Sequence, residues 1–470
     1  MSRRPRAWLA LIFVPCLIAA EPAPATRSER FTLYIAGERV GRLVAIDRVL
    51  PDGTHELVRE SQLALRRGST EVRMSSQAVT LLDSALKPLR YRYLRDEGGG
   101  AVRARGEVKG RQVLVTTEAG GATTTRTIDM DEGVTFAAAL ELQQRRRLKD
   151  GDTFSGKVLL EELGAVVDAS YRSRATAEGF VVESSIAGVQ QVEHLDRAGK
   201  TLRVEIPALG AYAVPEGAAP PPLTTSLDVL ARTVWDAPED FPPRGQLARA
   251  LFRVDGTLNA PVPEDRFQRV LKREGGHLVV EVKRQAQGPV EKLSAADRKQ
   301  YLAETPYEAI HDPRIVQVVK ELTHRTRSPQ ETVERLTRFV FDRVEQKDLS
   351  RAYAPATETL ETRIGDCTEH SVLFSALAKA AGIPTRLADG VVVADGRVGY
   401  HEWVEVYLDG EGWRPVDPTF GEPHAGPNRL KLAQGTSQPE ELLRMGLSAA
   451  SALTGLKISV IAHDRITPSR

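Results

Sequence analysis

The sequence is poor in cysteine, carries almost no net charge and has few long apolar runs. It contains two cysteines in 470 residues, too few for a framework of disulfides or a cysteine-based structural zinc site. Its 64 basic and 63 acidic residues give a formal charge of +1, so neither a nucleic-acid partner nor a polybasic membrane surface is indicated. No segment after the first twenty residues is long and apolar enough to cross a membrane as a helix. A globular chain of two to four domains is expected from its length.

The first 25 residues have the pattern of a secretory signal peptide. Three arginines among the first six residues precede an apolar stretch, 7–20, that is short for a transmembrane span. Alanines at positions 19, 20, 23 and 25 offer cleavage points. We therefore predict that residues 1–25 are a signal peptide and that the protein is periplasmic or secreted, with an uncleaved anchor as the alternative.

Cleavage of this segment would remove Cys16 and leave Cys367 as the one thiol. In an oxidising compartment Cys367 would then have no intramolecular disulfide partner, and such a cysteine suggests either intermolecular pairing or a reactive thiol. A buried, inert cysteine is the alternative. The residues around Cys367 favour the reactive thiol, as described below.

Residues 26–214 alternate short apolar runs with turn signals. Period-two runs precede Ala36-Gly37, Asp52-Gly53 and Gly120-Gly121, which is the pattern of an antiparallel meander. We predict a β-rich N-terminal domain, built as an antiparallel sheet or partial barrel. The predicted order is this domain at 26–214, a Pro-rich linker at 215–222 and a smaller mixed β module at 223–295.

From about residue 296 the pattern becomes helical. Asp312-Pro313 and Ser328-Pro329 each combine an N-cap residue with proline at the first helical position. A third helix is predicted to begin near Cys367 and to end before Gly382. These elements predict a C-terminal domain over 296–435, with a helix and a strand from 436–470 packed on it. The fold class is therefore α+β.

Cys367 stands at the start of the third helix, in the sequence Gly-Asp-Cys-Thr-Glu-His. Free N–H groups and the positive end of the helix dipole stabilise an anion at this position. We therefore expect the pKa of the thiol to be lowered, so that the reactive thiolate is populated. Backbone N–H groups of the same turn could also form part of an oxyanion hole.

A thiolate nucleophile needs a base, and the base needs an orienting partner. Residues 399–418 have the pattern of a two-stranded hairpin with Asp409-Gly410 at its turn. In such a hairpin His401 and Asp417 come within a position or two of facing each other. The carboxylate could then hold one ring nitrogen of His401 while the other faces the thiol, with Trp403 on the same face of the strand.

Four motifs resemble the transglutaminase-like superfamily. They are Gly365-Asp-Cys367, Ala380-Ala-Gly-Ile-Pro-Thr-Arg386, His401-x-Trp403 and Gly412-Trp-x-Pro-Val-Asp417-Pro418. The resemblance covers about residues 300–435 and is specific, because the motifs occur in order at compatible spacings. It implies a papain-like fold in which a helix-borne Cys meets a His and an Asp on neighbouring strands. By this resemblance Cys367 is the nucleophile, His401 the base and Asp417 the residue that orients it.

Two further residues are predicted to contact the substrate. Trp403 would give the site an aromatic wall. Tyr353 lies in a loop ahead of the nucleophile and is a candidate for the second oxyanion donor, which the family contributes from outside the nucleophile turn.

His370 and a metal site are alternative interpretations of the same sequence. His370 shares a helix face with Cys367, but a side chain only three residues away is poorly placed to act across a cleft, so a structural role is favoured. Asp366, Glu369 and His370 are ligand types, but structural zinc usually draws on several Cys or His residues. Position 405 is Glu where a His-Glu-x-x-His motif requires His. We expect no metal and no cofactor.

These patterns favour an exported thiol enzyme that cleaves or transfers acyl groups at amide bonds of peptides or proteins. Transfer to an amine needs a solvent-excluding channel with aromatic walls and an acidic mouth. The candidates for such a channel are Trp403, Trp413, Tyr407, Glu402 and Glu405, but strand alternation sends Glu402 to the face opposite His401. We therefore predict peptidase-like hydrolysis over transamidation. The alternative is a non-catalytic exported binding or scaffold protein with a degenerate transglutaminase-like domain.

Overall fold

The computed structural model describes residues 26–466, apart from positions 99, 218–226, 230–232, 257, 259, 275–276, 350–352 and 451–455. The predicted signal peptide and most of the predicted linker lie outside the described residues. Within them, no helix has the length and apolar character needed to span a membrane.

The N-terminal half folds into one sheet of fifteen strands. The strands are β1 (Thr26–Ile35), β2 (Glu38–Val49), β3 (His55–Arg67), β4 (Thr70–Leu82), β5 (Pro88–Glu97), β6 (Gly100–Lys109), β7 (Gln112–Ala119), β8 (Ala122–Asp129), β9 (Thr135–Phe136), β10 (Thr153–Leu160), β11 (Ala165–Ala175), β12 (Gly179–Ile186), β13 (Val189–Asp196), β14 (Thr201–Ile206) and β15 (Ala211–Pro215). Helix α1 (Ala137–Arg146) follows β9, and a 3-10 turn (Pro207–Leu209) precedes β15.

Hairpins connect most neighbours in this sheet. The strands from β1 to β8 form one meander and those from β9 to β15 a second, and pairing of β1 with β15 joins the two. All pairings are antiparallel except that of β9 with β10. At the β7–β8 tip, Gly120 and Gly121 have φ angles of 53° and 72°, which favour glycine in a tight turn. The predicted antiparallel, β-rich N-terminal fold is confirmed.

The C-terminal half combines helices with a five-stranded sheet. The helices are α2 (Ala295–Tyr301), α3 (Pro313–Thr323), α4 (Pro329–Arg343), α5 (Ala356–Thr362), α6 (Cys367–Ala380) and α7 (Pro439–Ala450). The sheet consists of β16 (Val234–Asp236), β20 (Thr385–Ala394), β21 (Arg397–Leu408), β22 (Gly412–Val416) and β23 (Arg429–Gly435). Both predicted N-caps are present, because Asp312 accepts from the Arg314 N–H at 2.9 Å and Ser328 from the Glu331 N–H at 3.1 Å.

Helix α6 is the central helix of this half. Its side chains Leu373, Phe374 and Leu377 are fully buried, in one core with Val404 of β21 and Leu336 of α4. Helix α6 is therefore packed between the sheet and the other helices. The start of α6 therefore has a fixed position relative to strands β20 and β21.

A smaller four-stranded sheet packs on the same domain. Its strands are β17 (Leu247–Asp255), β18 (Gln268–Glu274), β19 (His277–Lys283) and β24 (Lys457–Arg465), in the order β18-β19-β17-β24. Phe252 and Ile458 of this sheet share a core with Val391 and Leu430 of the five-stranded sheet. The last strand therefore joins the small sheet, and through it contacts the C-terminal domain.

Candidate active site

Cys367 is the first residue of α6, and a capping box holds it there. Asp366 accepts from the Thr368 N–H at 2.9 Å, and Glu369 reaches back to accept from the Asp366 N–H at 2.8 Å. A β-carbon on Gly365 would overlap the Glu369 side chain, so this close approach requires glycine. The short sequence around Cys367 thus determines its position at the helix start.

The surroundings of Cys367 raise the pKa of its thiol. The residue is half-buried and carries a free thiol. Burial and then the carboxylate of Asp366 raise this pKa, the backbone N–H of Glu402 lowers it by a hydrogen bond, and the Glu402 and Glu369 carboxyls raise it further. The expectation of a lowered thiol pKa is therefore wrong. The carboxylate of Asp366, which caps the helix, already compensates the positive end of the helix dipole.

His401 and Asp417 are in direct contact. His401 lies on β21 and Asp417 directly follows β22, its partner in the hairpin, where Val404 pairs with Val416. The Nε2–H of His401 donates to Oδ2 of Asp417 at 2.7 Å, and the two side chains are 5% and 0% exposed. Because the carboxylate engages Nε2, Nδ1 is the ring nitrogen left for a different partner.

Arg429, at the start of β23, completes the surroundings of Asp417. Its Nε and Nη2 atoms lie 2.8 and 2.7 Å from Oδ2 of Asp417, and Nη2 lies 2.8 Å from Glu422. Burial alone would raise the pKa of Asp417, but His401 and Arg429 hold it well below its usual range. The carboxylate is therefore charged at neutral pH. Sequence reasoning missed Arg429, because no motif marks which of the many arginines meets this carboxylate.

Two aromatic rings flank the imidazole of His401. The Trp403 ring centroid lies 6.3 Å from that of the imidazole with 19° between the planes, and the Phe420 centroid lies at 5.2 Å. The guanidinium of Arg244 lies over Phe420 at 4.0 Å. Trp403 is buried, so its ring restrains the imidazole. Its predicted role as a substrate contact stays a prediction.

Tyr353 lies beside a group of buried acids next to the thiol. Its hydroxyl donates to Oε2 of Glu402 at 2.6 Å, and Asp389 on β20 lies directly opposite Glu402 on β21. Burial raises the pKa of Glu402 well above its usual value and that of Asp389 to about 7. Within the described residues, Oε1 of Glu402 is buried without a hydrogen-bond partner. Sequence reasoning did not foresee this cluster, since its members come from separate elements.

His370, the alternative base, is bonded to the backbone. Its Nδ1–H donates to the carbonyl of Asp366 at 2.5 Å, and the side chain is buried. Burial and then the charge of Lys347 lower its pKa to about 4, so the ring is neutral at physiological pH. His370 therefore braces the turn that carries Cys367.

The other channel candidates have partners of their own. Trp413 packs on Tyr407 with ring centroids 5.6 Å apart. Glu405 is buried and accepts from Arg386 at 2.6 Å and from Lys431 at 2.7 Å. Its negative charge is therefore already compensated.

A metal-binding group is absent from the described part of the chain. No cluster of three or more His, Cys, Asp or Glu residues there is arranged to hold a metal ion. Asp366, Glu369 and His370, the alternative ligands around Cys367, therefore do not form such a cluster.

The N-terminal sheet reaches the turn that carries Cys367. Arg67, at the end of β3, lies 4.0 Å from the Asp366 carboxylate and donates to the Leu349 carbonyl at 3.3 Å. The ion pair partly compensates the acidic surroundings of Cys367. The two halves of the chain therefore meet at the candidate site.

We expect folding stability to fall between pH 6.5 and 8.5. Burial raises the pKa of Asp389 to about 7, and burial and then Asp366 raise that of Glu369 to about 8. Both values exceed those of unfolded carboxyls, about 4, so the folded state binds these protons more tightly. The contribution is complete at low pH and is lost as pH rises through the folded values. Thermal unfolding at the two pH values measures it.

Asp389→Asn should reduce this pH dependence, because an amide at the same site does not titrate. The matched control is Asp395→Asn, which alters an exposed residue at the β20–β21 turn and should leave the dependence unchanged. A midpoint that stays constant or rises from pH 6.5 to 8.5 in the unmodified protein would contradict the assignment.

One family model matches a span in the C-terminal half of the chain. Residues 316–418 match the model of the Transglutaminase-like superfamily. A candidate cysteine protease from Cytophaga hutchinsonii aligns at 16% identity over 50% of this chain and 90% of its own, with a TM-score of 0.32. The periplasmic domain of TgpA from Pseudomonas aeruginosa, bound to ethylmercury, aligns at 18% identity over 40% and 88%, with a TM-score of 0.28.

A third solved structure aligns with the chain, a β-barrel-like protein of the DUF1849 domain from Brucella abortus. It shows 12% identity over 41% of this chain and 94% of its own, with a TM-score of 0.30. No curated protein matches at a significant level.

The span that matches the family begins within α3 and ends just after β22. It therefore contains the start of α6 and the hairpin that carries His401 and Asp417. The C-terminal part of this chain is a transglutaminase-like domain.

Proposed function

We propose that the chain is an exported thiol enzyme that hydrolyses amide bonds of peptides or proteins. The observation that carries the proposal is the buried hydrogen bond of 2.7 Å between His401 and Asp417. It lies in the family-matched span that also contains Cys367. In this proposal Cys367 is the nucleophile and His401 is the base. Asp417 orients the imidazole and stabilises its protonated form.

The proposed reaction begins when the sulfur of Cys367 attacks the amide carbonyl carbon. The thiol proton moves to Nδ1 of His401 during the attack, because the surroundings keep the thiol protonated at rest. Charged Asp417 stabilises the imidazolium, which then protonates the leaving amine as the C–N bond breaks. Water attacks the resulting thioester as His401 takes a proton from it, the C–S bond then breaks, and His401 returns that proton to the sulfur as the acid product leaves.

Two groups are proposed to stabilise the oxyanion of the tetrahedral intermediate. The N–H of Cys367 lies in the first turn of α6, where no helical carbonyl precedes it, so it can bind an oxyanion. Tyr353 is the second candidate. Its O–H, which donates to the Glu402 side chain at 2.6 Å, would have to turn from Glu402 to the oxyanion, and the Glu402 N–H contacts the sulfur.

Hydrolysis is favoured over transfer by the state of the acidic residues. An amine acceptor would need an acid with uncompensated charge. Glu405 is paired with Arg386 and Lys431, and burial raises the pKa of Glu402 well above its usual range, which favours its neutral form. Neither provides the acidic mouth that amine binding would require.

Export is the remaining part of the proposal. It is supported by the signal-peptide pattern of residues 1–25. Cleavage would place the enzyme in the periplasm or outside the cell.

A competition between water and an amine tests the proposed function. The protein is incubated with a peptide library and a tagged primary amine, with Cys367→Ala as the control, and products are followed by mass spectrometry. We expect free acids to predominate and the control to form no product. A majority of amine-tagged products would contradict hydrolysis, and absence of both would favour the non-catalytic alternative.

A further inference from the structure

A cavity of about 320 Å³ lies between the N-terminal sheet and the C-terminal domain. This volume falls at the lower end of the range for small-ligand sites, roughly 300–1,000 Å³, which occur preferentially between domains. One wall comes from β5 and β6, another from α7. We call it the interdomain cavity, defined by Tyr93, Val102, Ala104, Tyr307, Tyr353 and Leu442.

Direct contacts hold the two walls of the interdomain cavity together. Arg95 on β5 donates to the Tyr307 hydroxyl at 2.7 Å, and Arg126 on β8 donates to the Gln438 side chain at 2.9 Å. Both bonds join the sheet to the C-terminal domain. The cavity is therefore preformed, so ligand binding would not include the free-energy cost of closing it.

Tyr353 connects the interdomain cavity to the candidate nucleophile. Its side chain lines the cavity, and its hydroxyl donates to Glu402 at 2.6 Å. The backbone N–H of Glu402 in turn contacts the sulfur of Cys367. Only Tyr353 and Glu402 thus lie between the cavity and the thiol on this path.

We propose that the interdomain cavity binds a large apolar side chain of the peptide substrate and makes the enzyme selective for aromatic or large aliphatic residues next to the cleaved amide. This inference rests on the proposed thiol-enzyme function and names its substrate class. The aliphatic lining of Val102, Ala104 and Leu442, with tyrosine rings beside it, suits such a group.

The two charged residues of the lining do not change this assignment. The Arg95 guanidinium is bonded to the Tyr307 hydroxyl and lies 5.9 Å from that ring centroid, so its charge is directed at the wall. The Glu162 side chain is exposed to solvent, so its charge stays hydrated. Both leave the apolar lining to decide what binds.

Two chloromethyl ketones, of N-acetylglycine and of N-acetylphenylalanine, test the proposal by their rates of reaction with Cys367. Each rate is divided by the rate of the same reagent with glutathione, and peptide mapping assigns the modified residue. Burial of a phenylalanine side chain is worth about 1.5–3 kcal/mol, so we expect the phenylalanine reagent to react at least about tenfold faster with the native protein.

Gly446→Phe fills the cavity from α7. A β-carbon at Gly446 meets nothing within 4 Å, and its φ lies outside the left-handed region, so a side chain can be added without backbone strain. We expect the preference for the phenylalanine reagent to fall to within about twofold of unity, while the glycine reagent keeps its rate. Gly446→Ala, which is too small to fill the cavity, should keep the native preference. Ala104→Phe repeats the test from the opposite wall if Gly446→Phe does not fold.

Three outcomes would overturn the inference. They are a native preference near unity, a preference that survives in both filled variants, and an equal loss of rate for both reagents. Failure of the proposed function looks different, because neither reagent would then modify Cys367 in the native protein.

Discussion

Replacing His401 with alanine is expected to lower turnover by a factor of about 10²–10⁴ while the protein stays folded. The structure keeps the Cys367 thiol protonated at rest, so attack requires a base at the moment of reaction. His401 is the candidate, with Asp417 fixing its Nε2–H at 2.7 Å. Steady-state kinetics on a cleaved peptide, with thermal unfolding as the folding check, measure the effect.

His370→Ala is the matched control for this experiment. His370 is also buried, also a histidine and only three residues from the nucleophile, but its Nδ1–H is bonded to the Asp366 carbonyl. Its loss should change stability or substrate affinity more than the chemical step. Equal and mild losses of turnover in the two variants would contradict the assignment of the base.

Asp417→Asn is expected to lower turnover by about 10²–10⁴ as well, though less completely than Cys367→Ala. The amide retains the shape of Asp417, but it cannot stabilise the imidazolium and can hold the imidazole in the wrong tautomer. It also removes the charge that pairs with Arg429, whose remaining partner is Glu422 at 2.8 Å.

Asp417→Ala separates the effect on stability from that on catalysis. Asp417 is fully buried and pairs with both His401 and Arg429. Both alanine and asparagine leave a largely buried guanidinium with one carboxylate fewer, which costs about 3–5 kcal/mol, but only the asparagine oxygen can still accept a hydrogen bond from Arg429. Urea unfolding should therefore show a larger loss of stability for the alanine variant than for the asparagine variant. Near-native turnover of Asp417→Asn would contradict the orienting role.

The parts of the site that follow from local sequence were predictable. Asp366 and Glu369 form a capping box that glycine at position 365 allows, so the start of α6 at Cys367 could be predicted directly. The Asp409-Gly410 turn sets the β21–β22 register, which brings His401 to Asp417. Short-range patterns specify such features because the residues involved interact within one or two elements.

The parts that depend on distant residues were not predictable. Tyr353, Asp389 and Glu402 come from a loop and two strands, and only the packing of α6 on the sheet brings them together. The same burial reversed the expected direction of the Cys367 pKa. Helix position alone could not show this, because desolvation and neighbouring carboxyls outweigh the dipole.

The longest-range features were also outside the reach of sequence patterns. Strand β24 pairs with β17 across about two hundred residues, and the interdomain cavity needs both halves of the chain. Arg67 approaches Asp366 from the N-terminal sheet. No periodicity or motif predicts such contacts, because neither partner belongs to a local sequence pattern that marks the other.

The most direct test of the thiol-enzyme account is the rate at which Cys367 of the folded protein is modified by a peptide chloromethyl ketone. Peptide mapping by mass spectrometry would compare the native protein, the His401→Ala variant and the denatured chain. The account predicts one modification per chain at Cys367 in the native protein, slowed at least about a hundredfold by His401→Ala. Modification of Cys367 only after denaturation, or at equal rates with and without His401, would contradict it.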